Sequence, residues 1–375
     1  MTKMEKYSIY VHIPFCKARC GYCAFSSCTD FTLVDRYFAK LFEEIEFYAD
    51  KNRPIYTVYV GGGTPSSVDK NLLNDLFDKL RANFDMSNVE EISVECNPES
   101  ATDQLLRCLK ANGVNRLSFG LQSVNDSTLK RIGRLHSYAQ FVKALRLAQQ
   151  LGFNNINADL IVGLPESAEH FHRTVDTVVQ LPLQHVSVYA LELHEGTALY
   201  NLCKTQPFSD DELADMYDYA CAKLSENGYS RYEISNFAKV LQECKHNVNY
   251  WQEGRYFAFG ASASGYVGDV RYTNPYAIGD YLATPTKTMH NDCQLISCSD
   301  QANEYVMLGL RLSSGVNLSE FRARYGADFF DYFVAATKLV EQGFLRVENG
   351  HVTVPSDKVY VVNSILCELL NFDEN

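Results

Sequence analysis

The chain holds one tryptophan, Trp251, in 375 residues, and no apolar run nears the roughly 20 residues that cross a bilayer, so a membrane-spanning protein is not expected. Basic residues are also in deficit, 34 Lys and Arg standing against 46 Asp and Glu for a net charge of −12. That balance excludes a general nucleic-acid binder, whose affinity rests on a basic surface that neutralises phosphates. The opening "MTKMEKYSIYVHI" lacks the apolar core of a secretory signal, which sets the expectation of a cytoplasmic protein. In that reducing compartment disulfides are not expected, even with 12 cysteines. The eight cysteines from Cys96 onward are scattered and read as small buried hydrophobes. No low-complexity segment and no repeat with a fixed signature is seen.

The length and a hydrophobic content of 46% allow a large core that folds without staples. Apolar strands near 7–13, 56–60, 91–95, 115–119, 154–162 and 185–191 alternate with helical stretches near 32–49, 69–82, 102–111, 125–151 and 167–180. Strand followed by helix, repeated, predicts an α/β fold with a parallel sheet curling toward a barrel, its ligands at the strand ends. The cysteine loop, Gly61 to Gly63, Glu95, Gln122 and Asp159 all fall at or just past such ends. A long helix near 209–227 and a strand near 229–234 follow, and from 235 to 285 the pattern breaks into loops rich in Asn, Gly and Tyr. Beyond 301, helices precede "FLRVENGHVTV", where Asn349 and Gly350 suit a tight hairpin turn. The expected division is 1–235 as the barrel, 236–295 as a linker, and 296–375 as a small winged-helix-like α+β domain.

The most informative stretch is "YVHIPFCKARCGYCAF", with Cys16, Cys20 and Cys23 on a loop directly after a strand. A 4Fe-4S cube offers four irons, so three thiolates leave one iron open to a substrate or cofactor. A structural zinc site would need a fourth ligand, such as Cys28 or His12, and chance clustering of free thiols is the bland alternative.

The CxxxCxxC spacing, with Tyr22 before the last cysteine, resembles the signature of radical S-adenosylmethionine (SAM) enzymes. "YVGGGTPS", "ECNPES", "NRLSFGLQS", "IGRLHS", "NADLIVGLP" and "YEISNF" extend the resemblance to the oxygen-independent coproporphyrinogen III oxidase superfamily over residues 10 to about 236. The resemblance implies a partial (β/α)6 barrel, a 4Fe-4S cluster on Cys16, Cys20 and Cys23, and SAM on the open iron. It further implies that Tyr10 and Tyr22 flank SAM, that Gly62, Gly63 and Thr64 receive its amino end, and that Glu95, Gln122, Arg134 and Asp159 contact it elsewhere.

Two departures from the oxidases stand out. Phe25 occupies the position of their additional cysteine, and "HNVNYW", residues 246–251, is similar to the HNxxYW motif of HemW-type haem chaperones. An imidazole such as that of His246 is able to ligate haem iron, and Tyr250 and Trp251 offer rings to a porphyrin. Cys244, Lys239 and Lys245 are secondary candidates for a thiolate ligand and for propionate partners. This branch implies a haem chaperone that delivers haem to respiratory haem proteins. The alternative is the oxidative decarboxylase itself, and whether the chain is an enzyme stays open. Peripheral membrane contact and a homodimer also stay open, while His12, His136 and His185 read as structural.

Overall fold

A computed structural model describes residues 6–290 and 292–370. Its central sheet is built from β1 (Tyr7–Ile13), β2 (Asp50–Gly62), β3 (Phe84–Asp85), β4 (Glu91–Cys96), β5 (Arg116–Gln122), β6 (Ile156–Val162) and β7 (His185–Ala190). Apart from the two-residue β3, which flanks β2, each strand lies parallel beside its predecessor in chain order. Right-handed crossovers that always advance in one direction place every connecting helix on the same face, which is the barrel arrangement.

The two faces of this sheet differ in chemistry, as the two-residue strand period requires. Toward the helices point residues such as Ile9, Val11, Val58, Val94, Phe119 and Leu160, which belong to one large apolar cluster. The opposite face carries Ser8, Thr57, Ser93, Arg116, Asn157 and Asp159, and buries most of them nonetheless. Buried polar groups require partners. They find them here: Ser8 Oγ meets Thr57 Oγ1 at 2.7 Å, and Asn157 Nδ2 donates to Ser118 Oγ and Asp159 Oδ1, each at 2.7 Å.

The outer helices form where apolar residues recur on one stripe. In α1 (Val34–Phe47) the buried set includes Val34, Tyr37, Phe38, Leu41 and Ile45, a helical spacing whose burial contributes roughly 1.5–3 kcal/mol per large side chain. Next come α2 (Lys70–Asn83) and α3 (Asp103–Ala111). The single helix expected over 125–151 is instead two, α4 (Asp126–Arg131) and α5 (Tyr138–Gln150). Gly133, at φ +78°, ends the first, and a capping box between Ser137 and Gln140 starts the second. That break turns Arg134 into the site described below.

After α6 (Ala168–Val178), α7 (Ala198–Cys203) and α8 (Asp210–Glu226), the strand expected near 229–234 is two short pieces, β8 (Ser230–Arg231) and β9 (Asn236–Ala238). The loops expected from 235 to 285 are largely ordered structure. They contain α9 (Lys245–Trp251) and β10 (Arg255–Phe259), which pairs parallel with the outer edge of β1. β11 (Ser264–Val267) and β12 (Val270–Thr273) continue that sheet antiparallel. Glu44 of α1 locks this extension in place, accepting from Gly260 N–H at 2.9 Å, Asn274 Nδ2 at 2.6 Å and Tyr281 OH at 2.6 Å.

The C-terminal part has its own apolar cluster, centred on residues such as Val306, Phe321, Phe333 and Leu366. It combines helices, beginning with Cys298–Gly309, with a small antiparallel sheet of Val316–Asn317, Arg346–Glu348 and His351–Thr353. Glu348 pairs with His351 across Asn349 and Gly350, both at positive φ, the two-residue turn expected from the sequence. Among the scattered cysteines, Cys293, Cys298 and Cys367 are exposed, against the expectation of burial. No helix among the described residues is long and apolar enough to cross a membrane.

Candidate functional site

The cysteine loop leaves β1 and is tied down along its length by main-chain bonds. Cys16 N–H donates to Cys28 O at 2.9 Å, Cys28 N–H to Pro14 O at 2.7 Å, and Gly21 N–H to Ile132 O at 2.8 Å. Leu199 N–H adds a bond to Gly21 O at 2.7 Å. The three thiols are partly exposed, and burial pushes the Cys16 thiol up to about 11.

Neighbouring strand ends contribute to the same place. Thr64 Oγ1 lies 3.3 Å from Cys16 Sγ and accepts from Asn97 Nδ2 at 3.2 Å. Arg134 donates to Cys20 Sγ at 3.4 Å, to Asn97 Oδ1 at 2.7 Å and to Gly120 O at 2.6 Å. Its Nε is buried without a protein partner, a free donor at the rim of the cysteine loop. Gln122, at φ +71° beside a register shift in β5, brings its amide against Gly120, where a Cβ would meet both it and the Arg134 guanidinium at 3.0 Å.

The glycines are close-approach positions. A Cβ on Gly63 would meet Pro14 C at 2.7 Å and Cys16 Sγ at 3.0 Å, and one on Gly62, at φ +115°, would meet the His12 ring at 2.6 Å. Gly62 N–H donates to Glu95 Oε2 at 3.0 Å, and Tyr59 OH donates to Glu95 Oε1 at 2.8 Å. Burial, reinforced by Asp159, raises the Glu95 carboxyl to about 7 against these two bonds. Asp159 sits beside Gly120 in register and accepts from Ser118 Oγ at 3.2 Å; burial raises its pKa as well. Tyr10 stacks on Tyr59 at 6.3 Å, and Tyr22 rests against the apolar cluster that includes Leu129 and Ile132.

These residues fit a cluster and its ligand. Three thiols and a guanidinium with a free N–H suit an anionic cluster, and Gly62 and Gly63 let the end of β2 pack directly against His12 and the cysteine loop. Among the described residues no three His, Cys, Asp or Glu side chains converge as ligands of a single metal ion. Both ring nitrogens of His12 are engaged, Nδ1 with Tyr10 OH at 2.9 Å and Nε2 with Ser26 O at 3.1 Å.

The "HNVNYW" stretch folds as α9, whose N-terminal amides are received by Glu91: Lys245 N–H reaches Oε2 at 3.0 Å and His246 N–H reaches Oε1 at 3.2 Å. His246 is 2% exposed. Its Nδ1 lies 2.8 Å from Thr57 Oγ1 and its Nε2 2.8 Å from Tyr250 OH, while its ring stacks on Tyr59 at 5.2 Å. Burial, with Arg116 nearby, pushes the imidazole down to about 3, so it is neutral. A chain of contacts therefore joins the two motifs: His246 on Tyr59, Tyr59 to Glu95, Glu95 to Gly62.

Tyr250, unlike His246, lines a cavity of about 480 Å³, together with Tyr10 and Phe25 from the cluster side and Tyr256, Tyr266 and Met307 opposite. The small residues Ser262, Ala263 and Ser264 form part of its wall. The secondary candidates lie elsewhere. Cys244 is buried, its thiol raised to about 12 by burial and directed at Glu91 Oε1; Lys245 pairs with Glu90, and the Lys239 ammonium sits over the Tyr229 ring. His136 and His185 are buried, and neither lines the cavity.

Asn97, which links Thr64 to Arg134, was missed by the sequence reading, although it lies in the same "ECNPES" stretch that singled out Glu95. A small amide next to a strand-end carboxylate is the signal that could have found it.

Residues 10–178 match the Radical SAM superfamily and residues 296–356 the HemN C-terminal domain. Among solved structures, coproporphyrinogen III oxidase (HemN) from Escherichia coli, described as a radical SAM enzyme, matches at a TM-score of 0.83 and 25% identity, covering 97% of this chain and 89% of that one. "Heme chaperone HemW" of Bacillus subtilis is 36% identical over 350 residues, which is 90% of this chain and 92% of the relative. The protein of the same name from Escherichia coli is 32% identical, over 87% and 88% of the two chains. The chain belongs to the HemW-type branch of the HemN-like radical SAM family. That family implies a 4Fe-4S cluster and SAM.

Proposed function

We propose that the chain is a cytoplasmic haem carrier rather than a coproporphyrinogen oxidase. In this reading Cys16, Cys20 and Cys23 hold a 4Fe-4S cluster, and Tyr10, Tyr22, Gly62, Gly63, Thr64, Glu95, Gln122, Arg134 and Asp159 surround SAM on its open iron. Haem binds at the cavity beside α9 and is passed on to respiratory haem proteins.

The observation that carries this reading is the arrangement of His246. Nδ1 lies 2.8 Å from Thr57 Oγ1, and in the tautomer whose Nδ1–H donates there the neutral ring presents its Nε2 lone pair, the arrangement in which a second-sphere hydrogen bond orients a metal-ligating histidine. Tyr250, which lines the cavity, covers that nitrogen. With Tyr250 turned away, Nε2 of His246 would be the atom that holds the haem iron. Phe25, lining the same cavity where the oxidases place their additional cysteine, and the haem-chaperone names of the relatives support the same conclusion.

The fold likeness to the oxidase favours a second reading, anaerobic decarboxylation of coproporphyrinogen III. One experiment separates them: anaerobically reconstituted, haem-loaded protein is mixed with an apo b-type haem protein, and a parallel haem-free sample with coproporphyrinogen III, SAM, a reductant and a terminal electron acceptor. Migration of haem absorbance to the apo-protein, with porphyrinogen conversion at background, is expected. Robust formation of protoporphyrinogen without haem transfer would establish the second reading.

A further inference from the structure

The cavity beside α9 contains a charged pair that neither the cluster nor SAM uses. Arg271, on β12, meets Glu304, on the helix Cys298–Gly309, through two bonds: Nη1 to Oε1 at 2.6 Å and Nη2 to Oε2 at 2.8 Å. Both side chains line the cavity. The Arg271 guanidinium also lies over the Tyr266 ring, 4.6 Å from its centroid, so its plane is fixed at the cavity wall. A planar fork of this kind is matched to a carboxylate.

The remaining charges of the lining are otherwise committed. Glu253 is 2% exposed by side chain and is held by Arg255 at 3.4 Å, Arg324 at 3.3 Å and Tyr325 OH at 3.1 Å. His12 is bonded through both nitrogens, and burial lowers its pKa, so it brings no cation. Arg271 is therefore the cationic side chain available to an acidic ligand. Besides small residues such as Ser262 and Ser264, the wall is aromatic or aliphatic: Tyr10, Phe25, Tyr250, Tyr256, Tyr266 and Met307. A volume of about 480 Å³ falls within the ~300–1,000 Å³ of small-molecule sites.

We infer that Arg271 is a binding residue for a carboxylate of the planar tetrapyrrole, and that Glu304 occupies the place of that carboxylate until the ligand arrives. This rests on the haem-carrier reading and names how the cargo is held. It also gives binding a mechanical consequence. When a propionate takes Arg271, Glu304 is displaced, and the helix that bears Glu304, Met307 and Leu308 loses a bidentate tie to the sheet.

The test compares haem with haem dimethyl ester, which keeps the flat ring and iron but has no free carboxylate, in titrations followed by absorbance. The protein should bind haem about tenfold more tightly than the ester, a difference of ~1.4 kcal/mol. Arg271→Gln should bring the two affinities together. Glu304→Gln should bind haem several-fold more tightly than the parent and leave the ester unchanged, an outcome that a merely structural ion pair would not give. Equal affinities for haem and ester in the parent protein, or weakened haem binding in Glu304→Gln, would overturn the inference while leaving the carrier reading standing. Saturable binding of neither porphyrin would remove the carrier reading and this inference with it.

Discussion

Nε2 of His246 lies 2.8 Å from the hydroxyl of Tyr250, and only the tyrosine of the pair lines the cavity. The motif thus pairs a poised ligand with its cover. Removing the hydroxyl, by Tyr250→Phe, should tighten haem binding several-fold, because the ring then turns away from Nε2 without giving up a hydrogen bond. His246→Ala should weaken binding at least tenfold and abolish the nitrogen-ligand signature in the electron paramagnetic resonance spectrum. Loss of haem in Tyr250→Phe with retention in His246→Ala would transfer the ligand role to the tyrosine.

The close approach of Gly63 to the cysteine loop gives a second prediction. In Gly63→Ala the new methyl overlaps Pro14 and Cys16 Sγ, which forces the loop outward. The variant should remain folded by circular dichroism yet assemble less than half of the parent's iron and sulfide on reconstitution. Full iron content would show that the loop accommodates the methyl.

Arg134 organises the strand ends through Asn97 and Gly120. Arg134→Met leaves Asn97 Oδ1 and Gly120 O without their donor, and such losses cost about 1–3 kcal/mol each. Urea unfolding of the cluster-free protein should show a loss of at least ~2 kcal/mol. A midpoint within error of the parent would mean that solvent replaces the guanidinium.

Glu44 predicts a pH dependence. Burial raises its folded pKa to about 7, with Tyr281, Gly260 and Asn274 pulling the other way, so the folded chain binds more protons than the unfolded one between about 4.5 and 7. Its stabilising contribution is complete below about 4.5 and is lost as pH rises through about 7. Glu44→Gln should be less stable than the parent at acidic pH, since an amide nitrogen in the place of Oε1 does not accept from Asn274 Nδ2. Its stability should also fall less steeply between pH 5 and pH 8. An unchanged slope would assign the dependence to the other carboxyls that burial raises, among them Glu95, Asp159 and Glu253.

Much of the site was legible before the structure because strand ends are marked by composition. The cysteine loop, the glycine run and Glu95 all sit where an apolar strand gives way to polar or small residues, and each does reach the same end of the sheet. Arg134 was identified as a residue but placed on a helix, since its neighbours suit a helix and only the left-handed Gly133 ends it. The pairing of β10 with β1 joins residues about 250 positions apart, for which no local periodicity exists. His246 was singled out by its motif, but a sequence motif does not reveal that Thr57 and Tyr250 fill both of its nitrogens. Nor could spacing show that Arg271 and Glu304, from different parts of the chain, meet across one cavity.

The central claim, a cluster protein that carries haem, is tested most directly by one anaerobic absorbance titration. Reconstituted protein is scanned, titrated with haem and scanned again, beside Cys16→Ala treated identically. The parent should show the brown cluster absorbance and then a haem band that saturates at one equivalent, with quenching of the fluorescence of Trp251, the neighbour of Tyr250. Cys16→Ala should lose the cluster absorbance. Cluster absorbance that persists in Cys16→Ala, or haem absorbance that rises without saturation in the parent, would contradict the account.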